Sequence, residues 1–289
     1  TLLELQIQNG NWAEAEETVR KMIRSKHLEP EPGRRQRAVL LYQQSLELEK
    51  EGRLGDALQT AQKANKMTPG FVPAAMRVAR LLAGAGKRRK SVAVIEEAWV
   101  ANPHPHLADV LGELCAGTGP NEHIAAIERL AGYNRDHVES HIAIAKAALA
   151  ASMWNEAREH LETIAGDTPT ARICRHMAEL EESQNHDLEA SRHWLVKASQ
   201  GDPDEAWGCD HCGQVRAEWT AVCEKCGHFD SCRWHVPPRV TQISTLTLRG
   251  DDAEGPAQAG PDADFSAENK MEDAPTQEPD KEADKDHPN

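Results

Sequence analysis

The chain has 289 residues, a formal net charge of −14, and 28% charged against 4% aromatic residues, a composition of solvated helices. No run approaches the roughly 18 consecutive apolar residues that cross a bilayer, and no basic stripe offers a footprint for nucleic acid. The sequence opens on Thr1, inside an amphipathic pattern of Leu2, Leu3, Leu5 and Ile7. It is therefore expected to continue a longer protein whose N-terminal segment is missing, so that missing targeting or membrane segments prove nothing.

The first two hundred residues hold a repeat. Asn9-Gly10-Asn11-Trp12-Ala13-Glu14-Ala15 recurs as Glu51 to Ala57, Ala151 to Ala157 and Gln184 to Ala190, with a weaker copy at Ala85 to Ser91 and a degenerate one at Gly119 to Ala125. Anchors at 15, 57, 91, 125, 157 and 190 are 42, 34, 34, 32 and 33 residues apart, and Pro69, Pro103 and Pro169 each follow an anchor by twelve. That period and punctuation belong to tetratricopeptide repeats. Each unit is two antiparallel helices. A small residue such as Ala57 lets them approach, glycine (or Ser152, Asn185) ends the first helix, and proline ends the second. A lone hairpin cannot bury its apolar face, so about five to six hairpins are expected to stack into an all-α superhelix whose concave groove takes a partner.

The first interval is eight residues too long, and Glu29-Pro30-Glu31-Pro32-Gly33-Arg34-Arg35 fills it, predicting a longer loop there. Lys87-Arg88-Arg89-Lys90 reads as a solvated turn. His104 and His106, in a proline-fixed loop, lack a third ligand nearby in sequence for haem or metal. Cys115 and Cys174 fall in helical stretches and read as small buried residues. Candidate groove contacts on the first helices are Arg77, Arg80, His141 and Lys146. No nucleophile or acid–base constellation qualifies the chain as an enzyme.

The sharpest signal lies at residues 206–240. Cys209-x2-Cys212 and Cys223-x2-Cys226 are separated by ten residues, and Gly213 and Gly227 follow each pair. Paired CxxC turns aim four thiolates at one tetrahedral cation, zinc or iron, with sulfur–metal bonds of roughly 2.3 Å. Both metals accept four thiolates, and iron would suit an electron carrier. Cys232 breaks the paired spacing, and His211 and His228 sit in the loops beside the ligands. Cysteine usage of this kind suits a reducing compartment. Trp207, Trp219 and Trp234 interleave the cysteines and are expected to shield the metal or dock the knuckle, with His193-Trp194 of the last repeat as its docking surface. Thr241 to Leu248 suits at most one strand. Residues 251–289 carry thirteen Asp/Glu against three Lys, a disordered acidic tail of net −10. The boundaries expected are therefore 1–205 for the repeats, 206–240 for the four-Cys rubredoxin- or zinc-ribbon-like knuckle, and 241–289 for the tail.

Repeats followed by Trp-x-Cys-x2-Cys-Gly, an internal Trp, Cys-x2-Cys-Gly-x-Phe-Asp-Ser (ending at Ser231) and Trp234 resemble the HemY proteins, in particular their alphaproteobacterial branch. The resemblance covers about residues 1–240, though only the cysteine segment is specific. It implies a non-catalytic scaffold of late haem biosynthesis, anchored in the bacterial inner membrane through the missing N-terminal segment, with this part facing the cytoplasm. It also implies protein partners, namely membrane-associated haem-synthesis enzymes. The lipopolysaccharide-assembly regulators, adaptors for a membrane protease, share the plan. Phe229-Asp230-Ser231 and the acidic tail favour the first family.

Overall fold

A computed structural model describes residues 1–117 and 119–238; the expected strand at 241–248 and the acidic tail lie outside the described residues. The described helices form six hairpins in chain order: α1 (Leu2–Gln8) with α2 (Trp12–Arg24), α3 (Pro30–Lys50) with α4 (Leu54–Met67), α5 (Val72–Gly84) with α6 (Arg88–Ala101), α7 (Pro105–Leu114) with α8 (Pro120–Ala131), α9 (Val138–Ala150) with α10 (Trp154–Ala165), and α11 (Ala171–Asn185) with α12 (Leu188–Gln200). Each second helix packs on the first helix of the next pair, and α7 also meets α5 and α9. This is a tetratricopeptide-repeat array. Among the described residues no helix is long and apolar enough to cross a membrane.

The hairpin turns follow one rule. Gly10, Gly52, Gly86, Ser152 and His186 take positive φ, and five residues later Ala15, Ala57, Ser91, Ala157 and Ser191 are buried where the paired helices touch. Two expectations are corrected by it. His186, not Asn185, carries the left-handed turn of the last hairpin, so its anchor is Ser191 and not Ala190. In the fourth hairpin Gly117 takes the positive φ, Gly119 is the N-cap of α8, and Ile124 and Ile127 face the core while Ala125 is exposed. The serine anchor of the third hairpin adds a polar tie: Ser91 Oγ donates to the Ala79 carbonyl across it at 2.7 Å.

The eight surplus residues do not form a loop. They lengthen α3, which begins at Pro30 and runs for 21 residues. Pro30 and Pro32 lie in its first turn, where an amide has no intrahelical acceptor and its loss costs little. Gly33 N–H then starts the ladder on the Glu29 carbonyl at 3.0 Å. A Cβ on Gly33 would come within 2.6 Å of Ile23, so the glycine lets α2 and α3 close.

The largest core runs through hairpins three to six around Trp99, Ile95, Leu107, Leu111, Leu130, Leu161 and Leu180. Cys115 closes α7 at the edge of that core, and Cys174 is fully buried in α11. At the other end the apolar interior does not stop at the helices. Val222 and Phe229 pack with Ile7, Val19 and Leu40, and Ala221 and Trp219 pack with Ala38, Val39, Phe71 and Ala74. Residues of the knuckle, Trp219 to Phe229, thus complete the core of the first hairpins.

Candidate metal centre and its docking face

The knuckle is built on three short strands, β1 (Ala206–Cys209), β2 (Val215–Arg216) and β3 (Cys232–His235), antiparallel in the order β2-β1-β3. Gly213 and Gly227 adopt φ of +70° and +72°, as the doubled Cys-x-x-Cys-Gly pattern requires. Each donates its N–H to the carbonyl of the first cysteine in its pair, Cys209 or Cys223, at 2.8 Å. The two turns face one another. Cys209 and Cys226 sulfurs are 3.7 Å apart, Cys212 and Cys223 sulfurs 3.6 Å, and all four lie within 4.8 Å of one another. No disulfide joins any of the seven cysteines. Sulfurs at ~2.3 Å from a tetrahedral cation are about 3.8 Å apart, so the four donors fit a thiolate-bound zinc or iron.

The surroundings of the sulfurs fit the same group. Burial raises the Cys209 thiol, but a 3.2 Å contact with the Ser231 hydroxyl and the N–H groups of Cys212 and His211 outweigh it and bring it to about 6. Cys226 is held the other way: the His228 N–H lowers it, but burial and the neighbouring thiols push it up to about 12. Four thiols this close resist shedding their last proton without a cation to take its charge. Cys232 pairs with Cys209 in the strand register and is buried, outside the four-sulfur group. His211 and His228 stack face to face with ring centroids 3.4 Å apart beside Cys226, both exposed.

The knuckle does not dock on the last hairpin. Trp194 packs back on the array's core, with Lys197 Nζ 4.4 Å over its ring. The docking face is made instead chiefly by α1, α3 and the N-terminal ends of α5 and α7, in the first helices of the first four hairpins, with Val19 of α2 in the same cluster. Trp219 meets Tyr42 and Phe71 edge-on at 5.2 and 5.1 Å. Arg35, in the lengthened start of α3, lies 4.4 Å over Phe71 and pairs with the buried Asp230 at 3.1 Å, while Arg233 shares that carboxylate. Trp207 and Trp234, opposite one another on β1 and β3, close over His104 at 5.2 and 4.3 Å. The two histidines that invite a ligand reading are thus docking residues.

His104 is fully buried. Its Nδ1 accepts the His106 N–H at 3.2 Å as the cap of α7, so the neutral ring carries its proton on Nε2. Burial, with smaller contributions from His106 and Arg172, lowers its pKa to about 3.

The predicted groove contacts are engaged within the array. Arg77 donates to the Ser45 hydroxyl and carbonyl and pairs with Glu49 at 3.0 Å, Arg80 is bidentate on Glu113, and Lys146 holds Asp109 at 2.7 Å. These pairs tie α5 to α3, α5 to α7, and α9 to α7; Arg172 with Glu139 continues the ladder from α11 to α9. His141 leaves it, with Nδ1 3.0 Å from that of His160. Lys87, Arg88, Arg89 and Lys90 are all exposed at the turn into α6. Sequence reasoning missed the roles of Arg35 and Asp230, and it named His104 without finding what covers it. The signals were present, in the eight surplus residues and in the Phe229-Asp230-Ser231 triplet, whose members fill the core, pair with Arg35 and contact Cys209.

No family model matches the chain. The Probable magnetosome protein Mms48 of Magnetospirillum gryphiswaldense is 26% identical over 253 residues, covering 84% of this chain and 56% of that one. The chain thus spans about half the length of this curated relative. Among solved structures, MamA is 15% identical over 56% of this chain and 91% of its own, with a TM-score of 0.34. YrrB, described as a tetratricopeptide-repeat protein with an unusual peptide-binding site, is 16% identical over 64% and 93%, with a TM-score of 0.35. TTC0263 of Thermus thermophilus, a thermophilic protein of the same repeat type, is 17% identical over 56% and 89%, with a TM-score of 0.37.

Proposed function

We propose that the chain is a non-catalytic adaptor. Its repeats hold a protein partner, and one zinc or iron ion on Cys209, Cys212, Cys223 and Cys226 fixes the knuckle as part of the binding face. The observation that carries this reading is the seating of the knuckle on the first helices, the surface such arrays offer to partners. When bound, the ion supplies a cross-link between the two CxxC turns, a structural role typical of closed four-thiolate sites. The chain's own residues do the rest: Ser231 contacts Cys209, and Phe229, Trp207, Trp219 and Trp234 seat the knuckle.

The resemblance to HemY proteins narrows the reading to a scaffold for haem-synthesis enzymes, attached to the bacterial inner membrane and facing the cytoplasm. Identity to a protein named for the magnetosome favours a second setting, the same kind of adaptor serving that membrane compartment. Crosslinking in cells with the intact protein, read by mass spectrometry, tests both. Recovery of tetrapyrrole-synthesis enzymes supports the first setting, and of magnetosome proteins the second. Recovery of a membrane protease with a lipopolysaccharide enzyme overturns both. Purified protein that turns over a tetrapyrrole substrate overturns the adaptor itself.

A further inference from the structure

Where the knuckle meets the array it leaves a cavity of about 440 Å³, within the range of ligand sites. Tyr42 and Arg77 supply its array side, and Trp207, Glu218 and Trp219 its knuckle side. Both parts contribute to its wall.

Its charges decide what it takes. Four carboxylates line it, Glu49, Asp109, Glu113 and Glu218, against the two guanidiniums of Arg77 and Arg80. Three of the acids are neutralised, by Arg77, Lys146 and Arg80 respectively. Glu218 is the fourth; it is exposed and has no ion pair among the described residues. Its field still reaches Tyr42, Arg80 and His106 across the space. Arg77 already lies over the Tyr42 ring, 5.9 Å from its centroid, which leaves the surplus carboxylate beside the half-buried indole of Trp219. That pairing suits a cation, since aromatic faces attract positive charge and a planar guanidinium stacks on them.

We infer that this seam between knuckle and repeats is a composite site for an arginine side chain of a protein partner. The inference rests on the adaptor reading and deepens it. Arg77, whose side chain is 9% exposed, is held by Ser45 and Glu49, and Arg80 by both oxygens of Glu113, so neither pairs with Glu218. Glu218 pairs with the incoming guanidinium while Trp219 flanks it, and Trp207, buried against His104, forms the wall behind.

The metal-loaded full chain, isotope-labelled, is titrated with N-acetyl-argininamide and followed at its indole N–H signals. Of the seven tryptophans, those of Trp207 and Trp219 should shift and saturate, and N-acetyl-glutaminamide should move neither. An exposed ion pair sets the scale: Glu218→Gln should weaken binding about threefold with metal content unchanged. Shifts spread evenly over all the indoles, or equal affinity in Glu218→Gln, overturn the site. Crosslinked partner recovered equally well with Glu218→Gln removes the site and leaves the adaptor. Localised arginine shifts without any crosslinked partner keep the site and remove the adaptor.

Discussion

Acidification should loosen the knuckle through His104. The ring is neutral when Trp207 and Trp234 cover it, with a pKa of about 3 against an ordinary 6.5. Because the docked value is depressed, the stability this residue contributes is complete above about 6.5 and is lost as pH falls from there towards 3. At about 1.4 kcal/mol per unit, moving to pH ~5 removes about 2 kcal/mol, which raises the undocked population about thirtyfold. The assay is amide hydrogen exchange at β1 and β3 between pH ~7.5 and ~5, corrected for intrinsic exchange, with metal content followed in the same samples. Acid also protonates the four clustered thiols, so the comparison that isolates His104 is His104→Phe. That variant loses the cap on the His106 N–H, a pH-independent offset of about 1 kcal/mol, but keeps every cysteine. Protection should fall more steeply in the wild type than in the variant. Parallel pH profiles in the two proteins would refute the role given to His104.

Changing Cys209, Cys212, Cys223 or Cys226 to Ser should abolish stoichiometric metal in elemental analysis, whereas Cys232→Ser should retain it; a full complement in Cys223→Ser would refute the ligand set. Arg35→Ala leaves the buried Asp230 carboxylate to Arg233 alone and should destabilise the knuckle by about 2 kcal/mol in denaturant titrations, with no change meaning that the pair is solvent-screened. Gly33→Ala drives a methyl into Ile23 and should cost about 1–2 kcal/mol of stability, a neutral result meaning that α2 and α3 do not close as described.

The repeats were legible because their physics is local. A left-handed turn, a small buried residue five positions on and a terminating proline recur at a fixed period, so the hairpins follow from sequence alone. The thiolate geometry was legible for the same reason, since each CxxC turn is closed by its own glycine. What escaped was long-range. Nothing near Pro30 tells whether prolines start a helix or break one, because both need the same residues and only packing against α2 and the knuckle decides. Likewise nothing near His104 shows what it packs against until Trp207 and Trp234, over a hundred residues later, are placed on it. The off-by-one errors at Asn185 and Ala190 came from expecting glycine-like behaviour of asparagine when the neighbouring His186 took the strained turn.

If a metal-held knuckle completes the partner face of the repeats, removing the metal must be felt in the helices beneath it. Hydrogen exchange across the full chain, metal-loaded against chelator-treated, tests this most directly. Stripping the metal should cost protection in residues 206–235 and, together with them, in Arg35 to Tyr42 of α3 and at the start of α5, while α9 to α12 stay unchanged. Loss confined to the knuckle, with α3 and α5 as protected as before, would contradict it.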